Sequence, residues 1–413
     1  MAEQAPVISE DELKPFPLLG STRQVTSGTA FNPAISVILD GKYYNDNVSG
    51  EGSEILEEAQ GFEGDHDEAG HGHGELARGL NLGGTEIVFS ASVDNYFDAL
   101  VNLAVDGDGI EVEEAFGLTR GLPAGLQLKF GKFLSGIGYF NQLHPHAWAF
   151  ADQNLPYRLI FGEENLNEVG LQLTWLPAWP VYTLIGVEAL QGSNEKIAAS
   201  DLDIPAGFEG RLKDRAGPRL FTGFIKIGPD LGPDHALQWG LFGGFSRLHQ
   251  EEHGDEFLEG ESWFTGTDLV YKFDAGGSHG KGNLVLQGEY IYRVKELEVA
   301  AHATEPLAIG EEEKFTQDGL YLQGTYGFAP RWTAGLRYEM AGLTNDIKTD
   351  AGTEKLDDSK RYSAAITFNP TEFSRLRLQF NRADIATDQG REKYNQVFLQ
   401  YQLALGVHGA HRF

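Results

Sequence analysis

Cysteine is absent from all 413 residues, which excludes disulfides, thiolate metal centres and a cysteine nucleophile. Its absence from so long a chain fits a compartment such as the bacterial envelope, where stray thiols are a liability. Basic residues are scarce, 32 Lys and Arg against 61 Asp and Glu. The resulting formal charge of −29 excludes a general nucleic-acid binder, because phosphate contacts depend on Lys and Arg. No apolar run reaches the roughly 18 residues a membrane helix needs. The opening stretch MAEQAPVISEDEL lacks the basic and apolar regions of a secretory signal. Catalytic signatures are missing too: there is no G-x-S-x-G elbow, H-E-x-x-H or P-loop. DGDG (106–109) is too short for a calcium loop and reads as a tight hairpin.

What the chain does have is a period of two. In VFLQYQLALGV (397–407), Val397, Leu399, Tyr401, Leu403, Leu405 and Val407 share one parity, and Gln400 and Gln402 share the other. That run is too long for an average globular strand of five or six residues. It suits a membrane-spanning strand of about 9–11 residues with an apolar outer face. The same alternation returns around Ile35–Asp40, Val169–Trp175, Leu284–Arg293, Leu320–Phe328, Trp332–Met340 and Arg375–Phe380. It predicts about 16 strands, starting near residues 33, 85, 99, 110, 126, 167, 182, 219, 236, 262, 283, 317, 331, 361, 373 and 395. The strand near 110 is the weakest, because Glu114 shares the parity of Val112 and Phe116.

The connections alternate in kind. Short ones rich in Pro, Gly, Asn and Asp fall at 94–98, 121–125, 176–180, 228–234, 274–282, 328–330 and 369–372. Mostly long, charged ones fall at 46–84, 139–166, 192–217, 248–261, 296–314, 343–359 and 383–392. One trimmed rim and one elaborated rim predict an all-β transmembrane antiparallel up-and-down barrel with short periplasmic turns and long external loops. The expected organisation is an N-terminal periplasmic segment (1–30) and a single barrel (31–413). Trp175, Trp239, Trp263, Phe328, Trp332 and Phe413 stand beside turns or loops, where an interfacial girdle is expected. A large soluble barrel or sandwich is the competing architecture.

With these features the chain resembles bacterial outer-membrane porins, whose last strand alternates and ends in Phe, as Phe413 does here. More narrowly, NPAISVILDG (32–41) and SGIGYFNQLHPHAWAFAD (135–152) resemble segments of porin-like outer-membrane proteins labelled zinc-regulated or TonB-dependent. The first strand is expected after only about 30 residues, which leaves no room for the plug domain that TonB coupling implies. The resemblance implies an integral protein of the bacterial outer membrane, in contact with lipid and small hydrophilic solutes or ions, and assembled as a homo-trimer.

A barrel of about 16 strands leaves an aqueous channel. The inward parity assigns to its lumen Asp40, Lys42, Glu111, Glu113, Lys129, Glu188, Lys226, Asp268, Glu289, Arg293, Arg337, Glu339, Arg375, Arg377 and Arg412. Carboxylates dominate the early strands and arginines the late ones, so a transverse field is expected across the pore. The connection 139–166 is too apolar for water and carries His144, His146, Trp148, Asp152, Glu163 and Glu164. In porins the corresponding loop narrows the pore; Asp152, Glu163 and Glu164 would then face the arginines. Packing over the barrel mouth or against another subunit is the other reading.

Histidines form two groups. GDHDEAGHGHGE (64–75) holds His66, His71 and His73 with Asp65 and Asp67, donors suited to Zn²⁺ or another divalent cation. The flanking glycines weaken preorganisation, so a solvated polar loop competes with a capture site. His144-Pro145-His146, with Asp152 nearby in sequence, is stiffer and is read as a metal contact or as buried, hydrogen-bonded histidines. No cofactor is required for the leading reading, a passive and moderately cation-preferring channel without enzymatic chemistry. A metal-handling uptake protein and a structural or adhesive barrel are the alternatives.

Overall fold

A computed structural model describes residues 32–48, 54–62, 76–105, 109–199, 202–205 and 207–406. The proposed N-terminal segment, the cluster His66, His71, His73, Asp65 and Asp67, and Arg412 and Phe413 lie outside the described residues.

One sheet of nineteen strands contains the fold, and three of them are short additions: Gly79–Leu82, Glu209–Gly210 and Gly352–Lys355. The remaining sixteen form the wall: β1 Ala34–Asp46, β2 Thr85–Ser92, β3 Phe97–Val105, β4 Ile110–Thr119, β5 Leu126–Leu134, β6 Asn167–Trp175, β7 Tyr182–Leu190, β8 Leu220–Gly228, β9 His235–His253, β10 Glu256–Phe273, β11 Leu284–His302, β12 Glu312–Ala329, β13 Trp332–Thr349, β14 Ser359–Thr371, β15 Ser374–Thr387 and β16 Gly390–Gly406. Each pairs antiparallel with its neighbour in sequence. β1 closes the cylinder against β16, with Ser36 opposite Gly406 and Asp46 opposite Gln396. Closure leaves no open edge in the wall, the condition a sheet must meet in lipid.

The alternation read from the sequence is the alternation of the wall. Leu376, Leu378 and Phe380 on β15 pair with Tyr401, Leu399 and Val397 on β16, and all six side chains are exposed on the outer face. Between them Arg377 and Gln379 point inward, opposite Gln400 and Phe398, and all four are buried. Aromatics cap the apolar belt. Trp332 stacks on Phe368 at 4.6 Å and Tyr338 meets Tyr362 at 5.2 Å, two levels about 20 Å apart along β13. Such a belt between aromatic rims defines a membrane-spanning barrel of the outer-membrane type.

Two expectations are corrected. Much of 248–261, 343–359 and 383–392 is strand, not loop. β9 and β10 continue until only Gly254 and Asp255 separate them, and β15 and β16 meet through Asp388 and Gln389. Beyond the lipid nothing demands an apolar outer face, so backbone pairing continues while the hydrophobic period vanishes. Trp263 consequently lies within β10, not at a strand end.

Candidate pore constriction

Residues 135–166, between β5 and β6, run inside the barrel. The segment has two 3₁₀ turns, Phe140–Gln142 and Pro145–Ala147, and one short helix, Leu155–Phe161. Asn154 caps the helix by accepting from Tyr157 N at 3.0 Å, and Pro156 falls in its first turn, where a missing N–H costs nothing. Phe140, Leu155, Tyr157, Ile160 and Phe161 are all buried in one cluster with apolar residues facing inward from the wall, such as Phe224, Phe264 and Tyr321, and the equally buried Phe150 lies under the Arg337 guanidinium. This apolar content would be costly at an exposed mouth and is satisfied within the cylinder.

An irregular backbone buried this way needs partners for its N–H and C=O groups, and the charged wall supplies them. Glu289 of β11 accepts from Phe140 N at 2.7 Å, Tyr139 N at 3.2 Å and Tyr157 Oη at 2.8 Å. Glu188 of β7 accepts from Gly136 N at 2.8 Å and from the Ser135 hydroxyl, and Glu339 of β13 accepts from Leu155 N at 2.7 Å. Lys226 donates to Gly138 O at 2.7 Å, Arg293 to Ile160 O at 3.0 Å, Arg375 to His146 O and Arg377 to Trp148 O, both at 2.8 Å.

The other assigned lumen residues make wall contacts. Asp40 accepts from Gln400 at 2.9 Å and lies 3.8 Å from Lys42, while Asp268 accepts from Gln238 at 3.4 Å. Lys129 stands over the rings of Phe116 and Phe133, and Glu111 pairs with Lys132 at 3.4 Å.

The acidic residues of the segment divide. Asp152 reaches the arginine side, 2.6 Å from Arg337 and 3.1 Å from Arg361, and it accepts from Gln379 and Asn381. Burial works against its carboxylate, but Arg337 and Arg361 hold it well below the usual carboxylate range. Glu163 and Glu164 do not face the arginine wall. Glu163 pairs with Arg158 of the short helix and Glu164 lies 3.8 Å from Lys132 of β5, because the chain has already turned back towards β6 by that point.

Asp152 is likewise no neighbour of the histidines. His144 and His146, with ring planes 6° apart, turn to the early strands. His144 lies 2.8 Å from Glu114 and 3.2 Å from Glu113, and His146 lies 2.6 Å from Glu86. Burial disfavours charge on His144, yet Glu86 nearby and hydrogen bonds to Glu113 and Glu114 hold its imidazole well above the usual range. Trp148 donates from its indole to Leu143 O at 2.9 Å and stacks on Phe140. Sequence reasoning missed Glu86, Asn102, Glu114 and Arg361. Only Glu114 left a signal, its break in parity on β4.

A closed sixteen-strand wall, an apolar belt and an infolded third external segment together define a porin-like outer-membrane barrel. No protein-family model matches the chain. A protein of Aquifex aeolicus (strain VF5), described as uncharacterized, is 37% identical over 398 residues, covering 94% of this chain and 81% of that protein. The chain belongs to the same family as that protein. Among solved structures, the anion-selective porin from Comamonas acidovorans is similar with a TM-score of 0.55 at 11% identity, over 91% of this chain and 99% of that one. The outer membrane channel DcaP of Acinetobacter baumannii gives 0.54 at 14% identity, over 91% and 96%. The trimer form of OmpT, an outer membrane protein of Vibrio cholerae, gives 0.53 at 9% identity, over 91% and 99%. At these identities the likeness is one of fold.

Proposed function

We propose that this protein is a channel for passive diffusion of small hydrophilic solutes or ions, without enzymatic chemistry and with a moderate preference for cations. The observation that carries this reading is the inner face of the barrel, whose charged and amide side chains surround a segment folded across the lumen. Carboxylates concentrate near the outer ends of β2 and β4, at Glu86, Glu111, Glu113 and Glu114, and the chain's net charge of −29 reinforces them. A negative entrance raises local cation concentration and repels anions. Because the segment engages much of the wall, unit conductance is expected to be small. A trimer is the assembly we propose, as in the trimer form of Vibrio cholerae OmpT.

Planar bilayers with a salt gradient test the reading. A reversal potential on the cation side and discrete steps support it. A silent barrel, or one that prefers anions, overturns it.

A further inference from the structure

β4 departs from its two-residue alternation at Glu113. Asn102 of β3 pairs with Glu114 whereas Leu103 pairs with Val112, so Glu113 is an extra residue on the β4 side. A bulge of this kind re-aims side chains, and here Glu113 and Glu114 both reach the infolded segment. Glu86 of β2 joins them from the far side of β3. The three carboxylates surround one ring: His144 Nδ1 lies 3.2 Å from Glu113 and 3.9 Å from Glu86, and Nε2 lies 2.8 Å from Glu114. Donor atoms of Glu86, Glu113 and His144 all fall within 4.8 Å of one another.

A separate observation concerns Asn102, which is only 1% exposed. Its amide nitrogen reaches into the same group, 3.0 Å from Glu86, 2.7 Å from Glu113 and 3.4 Å from His144 Nδ1. Its Oδ1 is buried without a hydrogen-bond partner. A half-turn of the amide exchanges the two atoms and sets the orphaned oxygen among the other donors. That arrangement would be repulsive between carboxylates alone and favourable around a cation. Among the described residues, no Lys or Arg forms an ion pair with Glu86 or Glu113.

We propose that Glu86, Glu113 and His144, with Asn102 Oδ1 as a fourth donor, bind a divalent first-row transition metal of the Zn²⁺ type. Imidazole nitrogen and carboxylate oxygen are the donors such ions take at about 2.0–2.2 Å, which places ligand atoms roughly 3.2–3.6 Å apart. His144 Nδ1 already lies 3.2 Å from Glu113, and its 3.9 Å separation from Glu86 needs only a small contraction. Metal-bound imidazoles are held through their other nitrogen, and Glu114 holds His144 through Nε2. His146 Nδ1, 2.6 Å from Oε1 of Glu86, orients that carboxylate in the same way. The ion ties the infolded segment to β2, β3 and β4 at the outer mouth, so binding stabilises the narrowed state of the barrel. The site joins residues up to 58 positions apart, from Glu86 to His144, which no short spacing pattern reveals.

The test uses the full chain folded in detergent, carrying His66→Ala, His71→Ala and His73→Ala to remove competing donors. Calorimetric titration with ZnCl₂ is expected to show one ion per chain, and Co²⁺ to give visible absorption of a four-coordinate nitrogen and oxygen set. Glu113→Gln, which preserves volume at a half-buried position, is expected to weaken binding at least tenfold while keeping the heat-modifiable gel shift of a folded barrel. Glu114→Gln is expected to weaken it 10- to 100-fold. Mg²⁺ is expected not to compete. Absence of stoichiometric Zn²⁺ binding, or unchanged affinity in folded Glu113→Gln, overturns the proposal. The readout is binding, so it stands apart from any failure of the barrel to conduct.

Discussion

Asp152 Oδ1 lies 2.6 Å from Nη2 of Arg337, joining the infolded segment to β13 across 185 positions of chain. Arg361 on the next wall strand approaches the same carboxylate at 3.1 Å. Glu339 contacts both guanidiniums from the wall, 3.0 Å from Arg337 and 2.8 Å from Arg361, so Asp152 completes a network of two carboxylates and two buried cations and pins the middle of the segment. Removing one partner of a buried pair leaves an uncompensated charge, typically a loss of about 3–5 kcal/mol. Asp152→Asn is expected to lower the urea midpoint of the folded barrel and to raise single-channel conductance and its noise. An unchanged conductance trace would mean that the segment is held elsewhere.

The same carboxylate sets a pH dependence. Its ionisation is favoured by folding, so its contribution is complete above the ordinary carboxylate range. The contribution is lost as the pH falls below about 4 towards the depressed value. Thermal unfolding measured from pH 7 down to pH 3 is expected to show a steeper decline for the wild type than for Asp152→Asn. Parallel profiles would remove Asp152 as the source.

Gly138 illustrates how closely the segment is fitted. Its φ of +51° is left-handed, and an added Cβ would meet the Tyr157 hydroxyl and the Glu289 carboxylate. Gly138→Ala is expected to cost about 1–3 kcal/mol through backbone strain and overpacking. The check is the denaturation midpoint of the variant against Gly223→Ala, where the nearest contact is an ordinary 3.6 Å.

The two faces of the wall should respond differently to charge. Leu378→Lys places an ammonium on the lipid face, where the expected cost is about 2–4 kcal/mol near the bilayer midplane. Gln323→Lys adds the same group on the inner face of β12 and should cost much less. Equal losses of folding yield in lipid vesicles would contradict the assigned parity.

The wall was legible in the sequence because lipid enforces a strict rule: a charge on the outer face is costly, so the period of two survives along most of the spanning stretches. Leu378 and Leu399 announce their side without any structural knowledge. Where lipid ends the rule lapses, which is why residues 248–261 read as loop although they pair. The infolded segment was legible in its apolar content, but its contacts were not. Glu289 and Phe140 stand 149 positions apart, and no local pattern encodes that meeting. Arg361 escaped notice because it sits at the outer end of β14, where alternation has little to mark it. Glu114 was visible only as an exception, and the exception was the bulge.

The seam between β1 and β16 has a bearing on synthesis. Ser36 finds its partner only when Gly406 exists, so a product that stops short of residue 390 exposes two raw sheet edges instead of a cylinder. Such a ribbon can neither enter lipid, where every amide must be matched, nor rest safely in water, where unpaired edges recruit one another. β16 is therefore the strand that closes the cylinder, and a chain lacking it is left with two edges in the form most readily aggregated.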